Sequence, residues 1–193
     1  MPRSLRIDHP GAWHHVMNRG AGHRDIFEGD VDRLAFLDAL AAAAERSGLE
    51  VHAYCRMSNH FHLLVRSGEG QLSAGMQYLA GRFTRVTNLR IGRDGPLFRG
   101  RYYSVGVGSD AHLVQACRYI HLNPVVARMT SRAEAWRWSS AGAYVGVGPA
   151  PAWLTTEYIL ELFGPSNRDA NYRDFMADGV EIATAKFYAD LGW

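Results

Sequence analysis

Segments with the apolar spacing of a strand and segments with that of a helix follow one another in a definite order along the chain. This order limits the possible folds more than any other feature of the sequence. Apolar residues recurring at every second position predict strands, and those recurring every three to four positions predict helices. The elements predicted in this way are strand 13–19, helix 30–47, strands 49–56 and 60–66, helix 71–90 and strand 101–107. This β-α-β-β-α-β order is the split βαβ pattern. We therefore predict an α+β, ferredoxin-like (RRM-like) fold with an antiparallel sheet.

Turn and cap residues place the helix ends. Asp30 is a predicted N-cap, and Gly48 follows the first helix. A third helix begins after Ser109-Asp110, and we expect it to end near Asn123 because Pro124 restricts its predecessor away from helical angles. Further on we expect a short helix or loop over 132–148 and two acidic helices over 155–163 and 167–191.

Composition excludes several classes of protein. The chain has 193 residues, of which 47% are hydrophobic and 21% charged, as expected for one globular domain. No segment approaches the ~18 consecutive apolar residues of a membrane span, and no export signal is evident. Cys55 and Cys117 lack metal-ligand spacing and fit a reducing compartment. We expect a cytoplasmic protein.

Basic charge is concentrated in the middle of the chain. The net charge is only +2, but residues 82–137 carry ten arginines against three acidic residues. Guanidinium groups bind phosphate through paired hydrogen bonds and stack on bases, so this segment favours a nucleic-acid partner. The alternative is codon usage, because arginine outnumbers lysine by 20 to one over the whole chain.

Two histidines on one strand are the first candidate for chemistry. His60 and His62 flank Phe61, so both imidazoles project from the same face of the third strand. Such a pair supplies two ligands of a metal site. The alternative is a half-buried strand edge carrying two hydrogen-bonded histidines.

A tyrosine and an asparagine on the third helix are the second candidate. Tyr119 and Asn123 are four residues apart and share a helix face. A free phenol, with a pKa of ~10, is a poor nucleophile unless a cation lowers that pKa or activates its target. An asparagine carbonyl completes a two-histidine site without adding charge. The alternative is an ordinary amphipathic helix that stops at Asn-Pro.

Three segments together resemble the single-tyrosine HUH transposases. They are HHVMNRG (14–20), HAYCRMSNHFHLLV (52–65) and RYIHLNP (118–124). The similarity covers about residues 10–145 in the family's order, and it is closest to the REP-associated tyrosine transposases of the IS200-like superfamily. It implies a transposase domain over 1–148 and a C-terminal helical extension over 149–193.

The resemblance implies roles for four residues. His60 and His62 match the family's metal-binding pair, Asn123 its polar third ligand and Tyr119 its catalytic tyrosine. The implied reaction cleaves and rejoins single-stranded or hairpin DNA through a 5′-phosphotyrosine link, which keeps the phosphodiester energy. Mg²⁺ is the metal expected from its abundance, and imidazole ligands favour Mn²⁺ as a substitute.

Several residues are candidates for contacts with that DNA, namely Arg82, Arg85, Arg99, Arg101, Asn18 and Arg19. For the last two, the alternative is stabilisation of the turn after the first strand. Phe98, Tyr102 and Tyr103 lie among these residues and either stack on bases or pack in the core. The chain departs from its relatives at Val126, where they commonly carry an arginine.

Two other functions fit the same residues. A domesticated binder of structured DNA or RNA would not cleave its ligand, and a metal-dependent phosphoesterase would need only the histidine pair. Tyr119 favours strand transfer over hydrolysis, because a hydrolase uses water instead of a covalent tyrosine. We further expect a nucleoid-associated monomer or homodimer with no membrane partner.

Overall fold

The core of the protein is a four-stranded antiparallel sheet with helices on both faces. The computed structural model describes residues 8–178. The strands are β1 (Ala12–Arg19), β2 (Leu49–Arg56), β3 (His60–Ser67) and β4 (Tyr103–Val107), in the order β2-β3-β1-β4. The larger helices are α1 (Asp30–Ser47), α2 (Leu72–Ile91) and α3 (Asp110–Val126). The predicted ferredoxin-like fold is confirmed.

Shorter elements follow the sheet and its three long helices. They are a 3₁₀ turn at Ala133–Ala135, then α4 (Ala141–Tyr144), α5 (Glu157–Glu161) and α6 (Arg168–Ala177), with another 3₁₀ turn at Ala21–His23. No helix within residues 8–178 is long and apolar enough to cross a bilayer.

The register of β1 against β3 decides which side chains share a face. Arg19 lies opposite His60, and Met17 lies opposite His62. Residues directly opposite in an antiparallel pair point to the same side of the sheet, and successive residues alternate. One face therefore carries both histidines of β3, whereas Phe61 between them points to the other face.

The two faces bury separate apolar cores. Phe61 packs with Phe36 of α1 and Phe83 of α2 on one face, with ring centroids of Phe36 and Phe61 4.8 Å apart. On the other face Leu64 packs with Ile120 of α3 and, further along the chain, with residues of α4 and α6. Full burial of one such side chain contributes roughly 1.5–3 kcal/mol. Both faces of the sheet are thus covered by packed helices.

The outer edge of β2 is covered by later segments of the chain. The Ser140 amide donates to the Tyr54 carbonyl at 2.9 Å, and the Thr155 amide donates to the Val51 carbonyl at 2.9 Å. These bonds satisfy backbone groups that an open edge would expose. The opposite edge strand, β4, keeps several partly exposed residues.

Several element ends differ from the sequence prediction. Helix α3 continues past Asn123 to Val126, because Pro124 lies in the last turn and its missing N–H removes only one helical hydrogen bond. The helix ends where Arg128 adopts a φ of 56°. Gly29, and not Asp30, is the N-cap of α1, and its amide donates to the Asp32 carboxylate.

Some elements are shorter than expected. Strand β4 begins at Tyr103 instead of 101, and the first acidic helix is reduced from 155–163 to α5, whereas α6 begins within one residue of the predicted start of the second. The predicted continuation of the last helix to 191 lies mostly outside the described residues.

A buried polar cluster connects α6 to α3. His121 of α3 is fully buried, with Nδ1 2.6 Å from the Tyr172 hydroxyl and Nε2 2.7 Å from the Ser140 hydroxyl. Burial lowers the pKa of His121 to about 3, so the ring is neutral at physiological pH. The described part of the C-terminal segment therefore helps fix the position of α3.

Removing the Tyr172 hydroxyl tests this connection. Tyr172→Phe keeps the ring but leaves Nδ1 of the buried His121 with only a weak contact to the Cys117 thiol at 3.9 Å, which we expect to lower the free energy of unfolding by ~1–3 kcal/mol. Urea denaturation followed by circular dichroism measures the change. The matched control is Tyr158→Phe, at a residue 41% exposed, with an expected change within ~0.5 kcal/mol. Equal stabilities for the two variants would contradict the assignment.

Candidate active site

Three histidines and one tyrosine converge on the face of the sheet that α3 covers. The ring centroids of His60 and His62 are 5.0 Å apart, and those of His62 and Tyr119 are 5.4 Å apart. His15 of β1 completes the group, with its centroid 5.2 Å from His62 and 5.9 Å from Tyr119. The strand pair and the helix tyrosine singled out in the sequence are thus brought together within one chain.

His60 is oriented by the residue before it. Its Nδ1 lies 2.7 Å from the Asn59 amide oxygen, and the Asn59 amide nitrogen donates to the His23 carbonyl at 3.2 Å. An amide oxygen only accepts hydrogen bonds, so Nδ1 carries the proton and Nε2 keeps its lone pair. His60 therefore presents a ligand nitrogen.

His62 is oriented by His15, which the sequence analysis did not identify. Nδ1 of His62 lies 3.1 Å from Nε2 of His15, and both side chains are buried. When Nδ1 of His62 donates this bond, its Nε2 remains a metal-ligating nitrogen. The available signal was that His15 and Met17, two residues apart, share one face of β1. Which side chain of β3 lies near His15 depends on the strand register.

Burial keeps the histidines of the site neutral. It lowers the pKa of His15 to about 3 and that of His62 well below its usual range, with His60 and His15 adding to the effect on His62. The pKa of His60 is lowered by burial and by the nearby Arg19, and a hydrogen bond with Asn123 partly opposes this. Neutral imidazoles are the form that binds a metal.

Asn123 is placed to act as a third ligand. Its side chain reaches His60, and its buried Nδ2 has no hydrogen-bond partner among residues 8–178. In that part of the chain no three His, Cys, Asp or Glu side chains are grouped as a metal site. Two neutral imidazoles and an amide oxygen nevertheless match the donors that divalent metals accept. These three ligands leave coordination positions of the metal open for a substrate oxygen. The residues fit a divalent metal.

Arg19 brings a positive charge to the same site. It lies opposite His60 in the β1–β3 register, and its charge contributes to the lowered pKa of His60. A guanidinium beside paired metal ligands suits a phosphate oxygen. Of the two turn residues proposed from sequence, Arg19 is the one positioned for such contact.

Asn18 has a different position. It is buried on the other face of β1, where its Nδ2 donates to the Gly100 carbonyl at 3.1 Å and its Oδ1 accepts from the Arg19 amide at 2.9 Å. These bonds favour the alternative role, in which Asn18 holds the loop after α2 against the end of β1.

The remaining arginines predicted to contact DNA are exposed. Arg85 and Arg101 line one cleft beside α2, whereas Arg82 does not line it. The backbone amide of Arg99 donates to the Arg19 carbonyl at 2.9 Å, so the loop that carries Arg99 is tied to the end of β1.

The aromatic residues near these arginines divide between core and surface. Phe98 and Tyr102 are each only 7% exposed and belong to the core beneath α1 and α2. Tyr103 is 38% exposed and lies opposite Met17, on the same face as His62. Tyr103 is therefore the one of the three with both the exposure and the position to stack on a base near the site.

The fold and the site define an α+β protein with a ferredoxin-like sheet and a two-histidine, one-tyrosine centre. Residues 10–123 match the family described as transposase, IS200-like, and the chain belongs to this family. No curated protein matches the sequence.

Two solved structures are similar to this chain. One is a REP-associated tyrosine transposase bound to a REP hairpin, with 16% identity, a TM-score of 0.65, and coverage of 80% of this chain and 92% of that chain. The other is a protein from Deinococcus radiodurans described as a candidate transposase, with 18% identity, a TM-score of 0.41, and coverage of 58% and 91%. The first likeness supports the fold.

Loss of His15 tests its role in orienting His62. We expect His15→Ala to weaken Mn²⁺ binding by roughly 10–100-fold, since groups that orient a ligating histidine have effects of this size. Isothermal titration calorimetry on the metal-free protein measures the affinity. The control is His14→Ala, because His14 is also buried but lies on the opposite face, where its Nδ1 is 3.2 Å from the Ser104 hydroxyl and its Nε2 is 3.3 Å from an Asp8 carboxylate oxygen. Equal affinities for the two variants would exclude the role.

Proposed function

We propose that the protein cleaves and rejoins single-stranded DNA at hairpin elements by the HUH single-tyrosine mechanism. The observation that carries this proposal is the proximity of Tyr119 to His62, with ring centroids 5.4 Å apart, beside a second neutral histidine. Membership of the IS200-like transposase family supports DNA strand transfer. The likeness in fold to a protein bound to a REP hairpin supports a hairpin substrate.

Three residues of this chain would hold the metal. Nε2 of His60 and of His62 are oriented by Asn59 and His15, and the Asn123 amide adds a neutral oxygen. A bound Mg²⁺, or Mn²⁺ in its place, would neutralise charge on the scissile phosphate as a Lewis acid. Neutral ligands leave the full charge of the cation for the phosphate.

Tyr119 is the proposed nucleophile. Its phenolic oxygen bonds to the scissile phosphorus while the bond to the 3′ oxygen breaks, and the phenol proton passes to solvent as the leaving oxygen takes one up. The products are a 5′-phosphotyrosine link and a free 3′-hydroxyl. Because one phosphodiester replaces another, attack by a second 3′-hydroxyl rejoins DNA without ATP.

Other residues position the DNA. Arg19 beside His60 would bind a non-bridging phosphate oxygen, and Tyr103 would stack on a base near the cleaved bond. The exposed arginines of α2 and of the following loop supply further backbone contacts; they are Arg82, Arg85, Arg99 and Arg101. A single chain carries the proposed nucleophile and all three proposed metal ligands, so a monomer suffices and a homodimer would contain two centres.

A covalent-adduct assay tests this function. Labelled hairpin oligonucleotides from sequence flanking the gene are incubated with protein and Mg²⁺ or Mn²⁺ and separated under denaturing conditions. We expect a metal-dependent protein–DNA band that is lost in Tyr119→Phe and in His60→Ala. Tyr158→Phe, at an exposed tyrosine of α5, is the control and should form the adduct as the wild type does.

Two outcomes would contradict the proposal. Tight, salt-sensitive binding without any adduct would indicate a non-cleaving binder of structured DNA or RNA. Metal-dependent cleavage that yields only free products, and that persists in Tyr119→Phe, would indicate a phosphoesterase that uses water.

A further inference from the structure

The cleft beside α2 lies on the face of the sheet opposite the histidines. It is enclosed by α2 and the loop 96–102 and has a volume of about 810 Å³. Asn18 lines this cleft, whereas Arg19, the next residue of β1, lies beside His60. Because successive strand residues point to opposite faces, the cleft and the active site lie back to back at the same end of β1.

The cleft combines an apolar floor with a basic rim. Buried Met76, Leu97 and Phe98 form part of the floor. The only charged residues lining it are Arg85 and Arg101, and neither has an ion-pair partner within residues 8–178. Within the described part of the chain, no carboxylate lines it. An apolar surface between two uncompensated guanidinium groups suits a ligand that is both flat and anionic.

The loop that forms one wall is held in place. Phe98 forms a β-bridge with Gly20, the Arg99 amide donates to the Arg19 carbonyl, and Asn18 donates to the Gly100 carbonyl. These contacts fasten the loop to the end of β1 through two backbone contacts and one side chain. The cleft is therefore formed before a ligand arrives, which reduces the ordering cost of binding.

We propose that this cleft binds unpaired nucleotides of the DNA strand that passes round the end of β1 from the active site. The inference rests on the proposed function, which supplies a single-stranded substrate. The volume lies within the ~300–1,000 Å³ of small-molecule sites. It thus suits one or two nucleotides and is too small for a double helix. The arginines bind the phosphates, and the floor contacts the bases.

A glycine in the cleft allows a test that leaves charge unchanged. Gly81 of α2 lines the cleft and a Cβ built on it meets nothing within 4 Å, so Gly81→Leu has room at its first side-chain atom and adds apolar volume to the cleft. Leucine is a better helix former than glycine, so folding is preserved. A second variant, Arg85→Ala/Arg101→Ala, removes the charge. Its control, Arg46→Ala/Arg132→Ala, removes two exposed arginines outside the cleft.

The measurement is fluorescence anisotropy in a Tyr119→Phe background, where binding is read without chemistry. The probes are one labelled hairpin with a blunt end and the same hairpin with a short unpaired arm. We expect Gly81→Leu and the double cleft variant to weaken binding of the armed hairpin by about tenfold or more, as loss of a base or phosphate contact does. Gly81→Leu should change binding of the blunt hairpin by less than about threefold, and the control variant should change binding of the armed hairpin by less than about threefold.

The outcomes separate this inference from the proposed function. Equal binding of the armed hairpin by wild type and Gly81→Leu, equal losses for both probes in Gly81→Leu, or no hairpin binding at all would overturn the cleft assignment. Arm-dependent binding through the cleft, together with no adduct at Tyr119 in the otherwise wild-type protein, would support the cleft and reject strand transfer.

Discussion

The register between β1 and β3 is the constraint on which the site depends. A slip of one residue would turn His60 and His62 towards α1 and α2 and would bring Phe61 to the face beneath α3. Phe61 prevents this, since it packs against Phe36 in a dense group of aromatic rings. The same buried residue that stabilises the fold thereby fixes the direction of the two imidazoles on either side of it.

The packing of α3 on that face determines the chemistry of the histidines. The helix is held by buried Ile120 and by His121, whose ring bonds to Tyr172 and Ser140. It brings Tyr119 and Asn123 over the strands, and the resulting burial lowers the pKa values of His60 and His62. Desolvation thus keeps these imidazoles neutral. In the proposed reaction, the charge that attracts phosphate would come from Arg19 and from the exposed arginines of α2 and the following loop.

The sequence predicted what depends on local periodicity. The strand and helix order, the shared face of His60 and His62, and the shared face of Tyr119 and Asn123 all follow from spacing within one element. What depends on contacts between elements was not predictable in this way. The bond from His15 to His62 requires the strand register, the burial of Asn18 requires the position of Gly100, and the cleft beside α2 exists only because the loop 96–102 returns to β1.

The central claim is that one chain builds the whole centre, and a mixing experiment tests it most directly. Tyr119→Phe and His60→Ala are each combined with a labelled hairpin and Mn²⁺, first separately and then in equal amounts together. We predict that the mixture forms no more adduct than either variant alone, because the centre in each chain then lacks either Tyr119 or His60. Restored adduct formation in the mixture would contradict it, since a tyrosine of one subunit would then be serving the histidines of another.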